Sequence, residues 1–260
     1  MNILVCVKQV PKAEDVHLDP ETNTLCREGA EAIINPYDLH ALEAALSLKE
    51  ERSGTVTVIS MGPPQADEVL RESLARGADR GYLICDRAFA GSDTLATTYT
   101  LARAIEKIGG ADLILCGKLA IDGDTAQVGP ELAAWLNIPH VAAVRRISSF
   151  ADGKLTAERM MDDGYEEVEV ELPLLFTVDK EINKPRFPSL KGKMKAKKAE
   201  IPVLNSNDIA AESRCLGLQG SPTWVSGICA PDRPGSRGKT IEGSADRQAE
   251  ELAEILSPII

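Results

Sequence analysis

Aromatic residues are scarce in this chain: Phe, Trp and Tyr together make up 4% of its 260 residues. A core must therefore be assembled from Ala, Val, Ile and Leu, and an apolar content of 43% is enough for a sizeable one. That content argues against an intrinsically disordered chain. Long hydrophobic runs are missing too. The longest, such as ILVCV and LILC, are strand-length, far short of the ~20 residues a membrane-spanning helix needs. Basic residues are fewer than acidic ones, 29 against 40, for a net charge of −11. Broad nucleic-acid binding, which runs on Lys and Arg neutralising phosphates, is disfavoured. Binding one nucleotide through backbone amides is not. The six cysteines form no C-x-x-C pair, so neither a zinc nor an iron–sulfur site is indicated. Cys6, Cys85 and Cys116 sit in or at the end of apolar strands, where a thiol behaves as a small hydrophobe. His17, His40 and His140 are scattered and read as surface or packing residues. There is no signal-peptide architecture, and a reducing cytoplasm is the expected setting. G-x-S-x-G, H-E-x-x-H and G-x-x-x-x-G-K-[ST] are all absent. A binding or carrier role is favoured over hydrolysis.

What is present is an alternation of strand and helix. ILVCV at 3–7 reads as a doubly covered parallel strand. Asn35-Pro36-Tyr37-Asp38 opens a helix to about residue 51, with Asn35 as N-cap, Pro36 at the first position and Asp38 at the positive end of the dipole. A strand at 55–60, a helix at about 65–76 ended by Gly77, and a strand at 81–85 follow. A helix at about 94–109, a strand at 111–117 and a helix at about 125–136 complete the series. This order predicts crossover units and an open, mostly parallel, Rossmann-like α/β sheet. From about 140 to 180 apolar and polar residues alternate, and Asp152-Gly153 and Asp163-Gly164 are hairpin turn signals, so antiparallel strands are expected to extend the sheet. Residues 183–199 are rich in Pro and Lys, with five lysines within 191–198. Residues 213–243 are rich in Gly, Pro and Ser. Residues 244–257 read as an amphipathic helix with Ala249, Leu252, Ile255 and Leu256 on one side. The expected division is an α/β nucleotide-binding domain over 1–212 and a C-terminal arm and helix over 213–260.

Open α/β sheets bind ligands beyond the carboxyl ends of their strands. The strongest candidate there is Asp122-Gly123-Asp124-Thr125-Ala126-Gln127-Val128-Gly129-Pro130. Gly123 permits a sharp turn. Thr125, Ala126, Gln127 and Val128 should offer free N–H groups at a helix start, where an anionic phosphate is favoured. An ordinary loop with Asp124 as N-cap is an equal alternative from these residues alone. Asp122 and Asp124 would repel a phosphate if they faced it, so capping, turning or facing solvent is expected of them. The Asn35–Asp38 helix start, Cys6-Val7-Lys8 and Met61 lie at the same sheet edge. Taken singly they read as an N-cap, a solvated lysine and packing.

Together these pieces resemble the β subunit of electron transfer flavoprotein. The matching stretches are V-x-V-K-x-V, I-I-N-P-Y-D-L-H-A-L-E-A-A-L, S-M-G-P-P with L-x-R-G-A-D-R-G-Y-L, L-C-G-K-x-A-I-D-G-D-T-A-Q-V-G-P and N-K-P-R-F-P-S-L-K-G-K-M-K-A-K-K. The resemblance runs from residue 1 to about 200 and more loosely beyond. It implies an electron carrier paired with an α subunit that carries a redox FAD. The β subunit holds either AMP in a structural role or a second FAD that takes hydride from NADH. In the second branch the electron pair is split between a high-potential acceptor and ferredoxin or flavodoxin. The AMP type reads close to D-D-D-x-x-Q-T-G-Q, whereas D-G-D-T-A-Q-V-G-P is similar to the FAD-holding, bifurcating type. The pocket the resemblance implies comprises Cys6, Asn35, Pro36, Tyr37, Asp38, Met61 and Asp122 through Ala133, with backbone groups of Cys6 and Met61 at the adenine. Leu190 matches the leucine of a recognition loop, here about 184–199, that docks on a partner dehydrogenase of acyl-CoA dehydrogenase type. The basic run from Lys191 to Lys198 would position it by charge. Glu166 matches an acidic position facing the partner subunit's flavin domain, and a solvent-facing strand residue is its alternative. A stand-alone nucleotide-sensing domain is the remaining reading. The arm, with Leu216, Leu218, Trp224, Val225 and Ile228, argues against it, because disordered tails seldom hold so many apolar residues.

Overall fold

The structure is a computed structural model that describes residues 1–12, 17–18, 25–26, 32–151, 153–227, 238 and 240–258. Asp152 of the expected first turn, Ile228 of the arm and Cys229 lie outside the described residues, as do the side chains of His17 and Cys26. In chain order the elements begin with β1 (Asn2–Cys6), β2 (Gln9–Pro11), β3 (His17–Leu18), β4 (Leu25–Cys26), β5 (Ala32–Ile34) and α1 (Pro36–Arg52). β6 (Thr55–Met61), α2 (Asp67–Arg76), β7 (Arg80–Ile84), α3 (Thr94–Lys107), β8 (Leu113–Gly117) and α4 (Val128–Leu136) follow. Then come β9 (His140–Ala151), β10 (Lys154–Met161), β11 (Gly164–Glu171), β12 (Leu174–Val178), α5 (Leu190–Lys198), β13 (Val203–Leu204), α6 (Gly217–Gly220) and α7 (Ala245–Leu256).

Nine strands form one sheet in the order β11-β10-β9-β12-β8-β1-β6-β7-β13. β1 pairs parallel with β6 on one side (Leu4 beside Thr57) and with β8 on the other (Leu4 beside Ile114). Its continuous apolar run follows from burial on both faces. Ile3, Val5 and Val7 pack with α1 and α2, while Leu4 and Cys6 meet the α3 and α4 side. Each such aliphatic side chain taken from water stabilises by ~1.5–3 kcal/mol. With so few aromatics, the core is filled by short aliphatics, and Phe176 on β12 is its one fully buried ring among the described residues.

The hairpin region departs from expectation at one strand. β9, β10 and β11 form an antiparallel meander. β12, however, returns between β9 and β8 and runs parallel to both. Its sequence, LLFTV, is buried throughout, the pattern of an inner parallel strand rather than of a half-exposed edge. The helices start and stop where chemistry dictates. Asp93 caps α3 by accepting the Ala96 N–H at 3.1 Å. α2 ends at Gly77, whose φ of 132° a side chain would resist. α4 starts later than expected, at Val128, leaving Thr125 to Gln127 as loop.

α5 lies on α2. Arg71 donates to the carbonyls of Ala196 at 2.8 Å and Ala199 at 3.1 Å. A Cβ on Gly192 would come within 2.1 Å of the Ala75 carbonyl oxygen. Gly192→Ala should therefore push α5 off α2, at a cost of about 1–3 kcal/mol. A thermal midpoint equal to that of the parent would show that the contact is not this tight.

Candidate nucleotide site at the sheet switch point

From β1 the chain winds through β6 and β7 to one side, then crosses to β8 on the other. α1 leaves on one face of the sheet and α4 on the opposite face. The carboxyl ends of β1 and β8 therefore diverge into a crevice, the place where such sheets bind ligands.

Three side chains shape the crevice. Asp38, in the first turn of α1, accepts the Lys8 N–H at 2.8 Å and the Gly117 N–H at 3.1 Å, joining the ends of β1 and β8. Asn35 stands at the N-cap position, but its side chain does not cap α1. It reaches instead to the β8–α4 loop, donating to the Leu119 carbonyl at 2.8 Å and accepting the Ile121 N–H at 3.2 Å. Lys8 is not merely solvated, since its Nζ pairs with Asp122 at 2.7 Å. The Asp122 charge is thus met by a cation.

The loop beyond is exposed from Ile121 to Gln127. Its sharp turns fall at Asp124 (φ 51°) and Ala126 (φ 54°), not at Gly123. Gly123 has open space where its Cβ would be. Gln127, not Asp124, occupies the N-cap position of α4. The consequence is a run of donors. Among the described residues, the backbone N–H groups of Thr125, Ala126, Gln127, Val128 and Gly129 meet no protein acceptor. Pro130 follows and has no N–H to offer. Five unmet amides at the positive end of a helix fit an anionic phosphate. Below them, a Cβ on Gly129 would lie 2.2 Å from Thr177 Cγ2, so α4 sits hard on β12 with Ala133 fully buried. Cys6 and Met61, half-buried, complete the edge at the ends of β1 and β6. Among the described residues no group of three or more His, Cys, Asp and Glu side chains is placed to hold a metal ion.

Residues 22–209 match the model of the electron transfer flavoprotein domain. An electron transfer flavoprotein subunit beta from Thermoanaerobacterium thermosaccharolyticum is 49% identical over 258 residues, 99% of this chain and 98% of the relative. One from Megasphaera elsdenii is 46% identical, covering 100% of this chain and 98% of the relative. The caffeyl-CoA reductase–Etf complex subunit CarD of Acetobacterium woodii is 50% identical over 94% of this chain and 93% of its own length. The chain belongs to the electron transfer flavoprotein β-subunit family.

Several groups that position the flavoprotein loop are hard to find by motif. A Cβ on Gly117 would fall 2.4 Å from Asp38 Oδ1 and 2.7 Å from Tyr37 Cβ, so the glycine that ends β8 lets α1 approach. The hint was a lone Gly closing an apolar run. Glu131, one turn into α4, accepts from Thr94 at 3.1 Å and Thr98 at 3.3 Å, joining the starts of α3 and α4. Asp93 accepts from the Thr223 N–H at 3.1 Å and hydroxyl at 2.8 Å, which anchors the beginning of the C-terminal arm there. Trp224 and Val225, just beyond, are exposed. No sequence period announced either contact.

Leu190 and Glu166 lie away from the crevice. Leu190 opens α5 and is 78% exposed. Glu166 is on β11 at the sheet edge and is held by Arg159 across the β10–β11 pair at 2.6 Å. His40 packs structurally, its Nδ1 3.1 Å from the Asn183 carbonyl oxygen. Cys116 is buried, and its neighbour Cys6 together with burial holds its thiol well above the usual range. It is a packing thiol, not a nucleophile.

Burial pushes the Asp38 carboxyl up to about 7, against the Asn35 side chain, the Lys8 and Gly117 amides and the Lys8 charge, which favour its charged form. A raised carboxyl pKa makes the folded state the tighter proton binder. Its contribution to stability is complete below the ordinary value of 3.8 and is lost as pH rises through about 7. Asp38→Asn should lower stability overall, because one amide loses its acceptor, yet flatten the pH dependence between about 4 and 7. Parallel slopes for parent and variant in denaturant titrations across that range would refute the assignment.

Proposed function

We propose that this β subunit holds FAD in the switch-point crevice and works in a heterodimer with the α subunit of an electron transfer flavoprotein. In this reading it draws electrons from NADH and delivers them to the α-subunit FAD and to ferredoxin or flavodoxin, in flavin-based bifurcation. The bound flavin would supply the hydride-accepting chemistry. The chain's own residues bind and orient it. Thr125 to Gly129 donate amides to the diphosphate, with the Thr125 hydroxyl and Gln127 amide as further donors. Backbone groups at Cys6 and Met61 meet the adenine. Asn35 and Asp38, with Pro36 and Tyr37 between them, keep the loop in register.

The observation that carries the reading is the run of five unpartnered amides over an uncharged, open position at Gly123. A carboxylate there, as in the AMP-holding pattern, would face a diphosphate with like charge. The similarity to a subunit of a caffeyl-CoA reductase–Etf complex fits service to an enzyme that acts on a CoA thioester. The alternative is a β subunit with AMP in a structural role. Denaturing the purified heterodimer and counting its released nucleotides decides between them. Two flavins and no AMP per heterodimer are expected, and one flavin with one AMP would overturn the proposal.

A second test uses the space at Gly123. Since nothing lies within 4 Å of its Cβ position, Gly123→Asp should fold like the parent. Charge repulsion should nonetheless lower flavin content, at a cost of a few kcal/mol if the new carboxylate is desolvated. Full flavin occupancy in that variant would place the diphosphate elsewhere.

The segment 184–199 would serve as the docking element for a flavoenzyme partner of acyl-CoA dehydrogenase type. Phe187, Leu190 and Met194 are 90%, 78% and 61% exposed, amid Lys184 and the lysines of α5. An apolar anchor ringed by cations suits an apolar pocket with an acidic rim, the charges acting chiefly on encounter and register. Residues 213–260 would form the arm that packs on the α subunit, with Glu166 facing its flavin domain.

A further inference from the structure

The docking segment is held in a manner its own exposure does not require. Arg186 sits between Pro185 and the exposed Phe187, yet its side chain turns inward onto α1. Its backbone N–H donates to Glu43 Oε2 at 2.9 Å. Its Nε donates to the same oxygen at 2.9 Å, and its Nη2 to Glu43 Oε1 at 2.9 Å. The other edge of the guanidinium meets Glu50, one further turn pair along α1, with Nη2 to Oε2 at 3.1 Å. Glu43 has only 11% of its side chain exposed. The Arg186 carbonyl is taken in turn by Arg76 of α2, which is itself paired with Glu72 at 2.6 Å. Upstream, Asn183 exchanges contacts with His40 of α1, donating to its carbonyl at 2.9 Å. Downstream, the Ser189 hydroxyl accepts the Gly192 N–H at 2.9 Å and starts α5.

These contacts fasten the backbone on both sides of Phe187 and Leu190 while both apolar side chains stay in solvent. An exposed apolar loop without such anchors would sample many shapes, and a partner would pay for ordering it. We propose that Arg186 is a positioning residue for partner docking: by bridging Glu43 and Glu50 it fixes segment 183–190 on α1, so that Phe187 and Leu190 enter the partner's apolar pocket already shaped. The inference rests on the docking role given above to segment 184–199. Arginine is needed because a planar fork serves two carboxylates at once, whereas a lysine offers one point charge. The hydrogen bonds from Arg186 hold the Glu50 carboxyl below its ordinary range, in keeping with a persistent pair at an otherwise exposed residue.

The test uses the intact heterodimer with a purified acyl-CoA dehydrogenase of the same organism as electron partner. Arg186→Gln, Arg186→Lys and Leu190→Ala are compared with the parent for KM of the dehydrogenase, kcat, nucleotide content and amide hydrogen exchange over 183–190. Arg186→Gln should raise KM about tenfold and speed exchange in that segment, with kcat and nucleotide content unchanged, and Arg186→Lys should fall between. If Leu190→Ala raises KM but Arg186→Gln alters neither KM nor exchange, the clamp is refuted and the docking surface stands. If Leu190→Ala leaves KM unchanged, the docking reading itself fails and the role of Arg186 falls with it.

Discussion

One buried carboxylate joins the two strands between which the candidate site opens. Asp38 takes an amide from the end of β1 and another from the end of β8. Those strands are neighbours in the sheet but distant in the chain, and the helices that follow them leave on opposite faces. Without a shared acceptor, each strand end would present an unmet N–H inside a crevice, and leaving a buried donor unsatisfied costs about 1–3 kcal/mol. The same carboxylate, with Tyr37 beside it, leaves no room for a Cβ at Gly117. Burial raises its pKa, so the protein accepts an electrostatic strain at this point in return for a defined geometry at the strand ends.

The arrangement divides polar groups into two kinds. Asn35, Asp38, Lys8 and Asp122 are satisfied by one another or by backbone, and they hold the β8–α4 loop from beneath. The amides from Thr125 to Gly129 meet no protein acceptor. Asp124 and Ala126 take positive φ in the same stretch, and left-handed residues alternating with right-handed ones gather successive N–H groups into an anion-binding concavity. A rigid frame of satisfied groups beneath a rim of unsatisfied donors is what a site for an anion requires. α1 contributes to this frame at its first turn and carries the Arg186 contacts farther along, so one helix sets both the crevice and the exposed apolar segment.

Much of the fold was legible because its signals are local. The run ILVCV announces a strand covered on both faces, and Asp93 and Gly77 mark helix ends through capping and left-handed backbone. The helix-strand alternation made the parallel sheet the economical reading. β12 was misread because a buried inner strand and an antiparallel return share the residues LLFTV. Only its neighbours tell them apart. Asn35 holds the N-cap position as expected, but its side chain does not cap α1. Its Oδ1, the atom that would cap, accepts instead from the Ile121 N–H in a loop 86 residues later. Gly123 looked like the pivot of the loop, while the left-handed turns fell to Asp124 and Ala126, residues whose types do not advertise them.

The amino-acid sequence by itself determined which segments are strand and helix, which residues are apolar enough to be buried, and that a loop with available amides follows an inner strand. These follow from propensity, capping and periodicity, which act over a few residues. The tertiary structure decided that Lys8 meets Asp122, that Asp38 joins β1 to β8, and that Arg186 turns inward to α1 while its neighbours face solvent. Each of those pairings spans from 30 to 143 residues of chain. The energy that selects them is desolvation and contact at the packed interface, which no local rule contains.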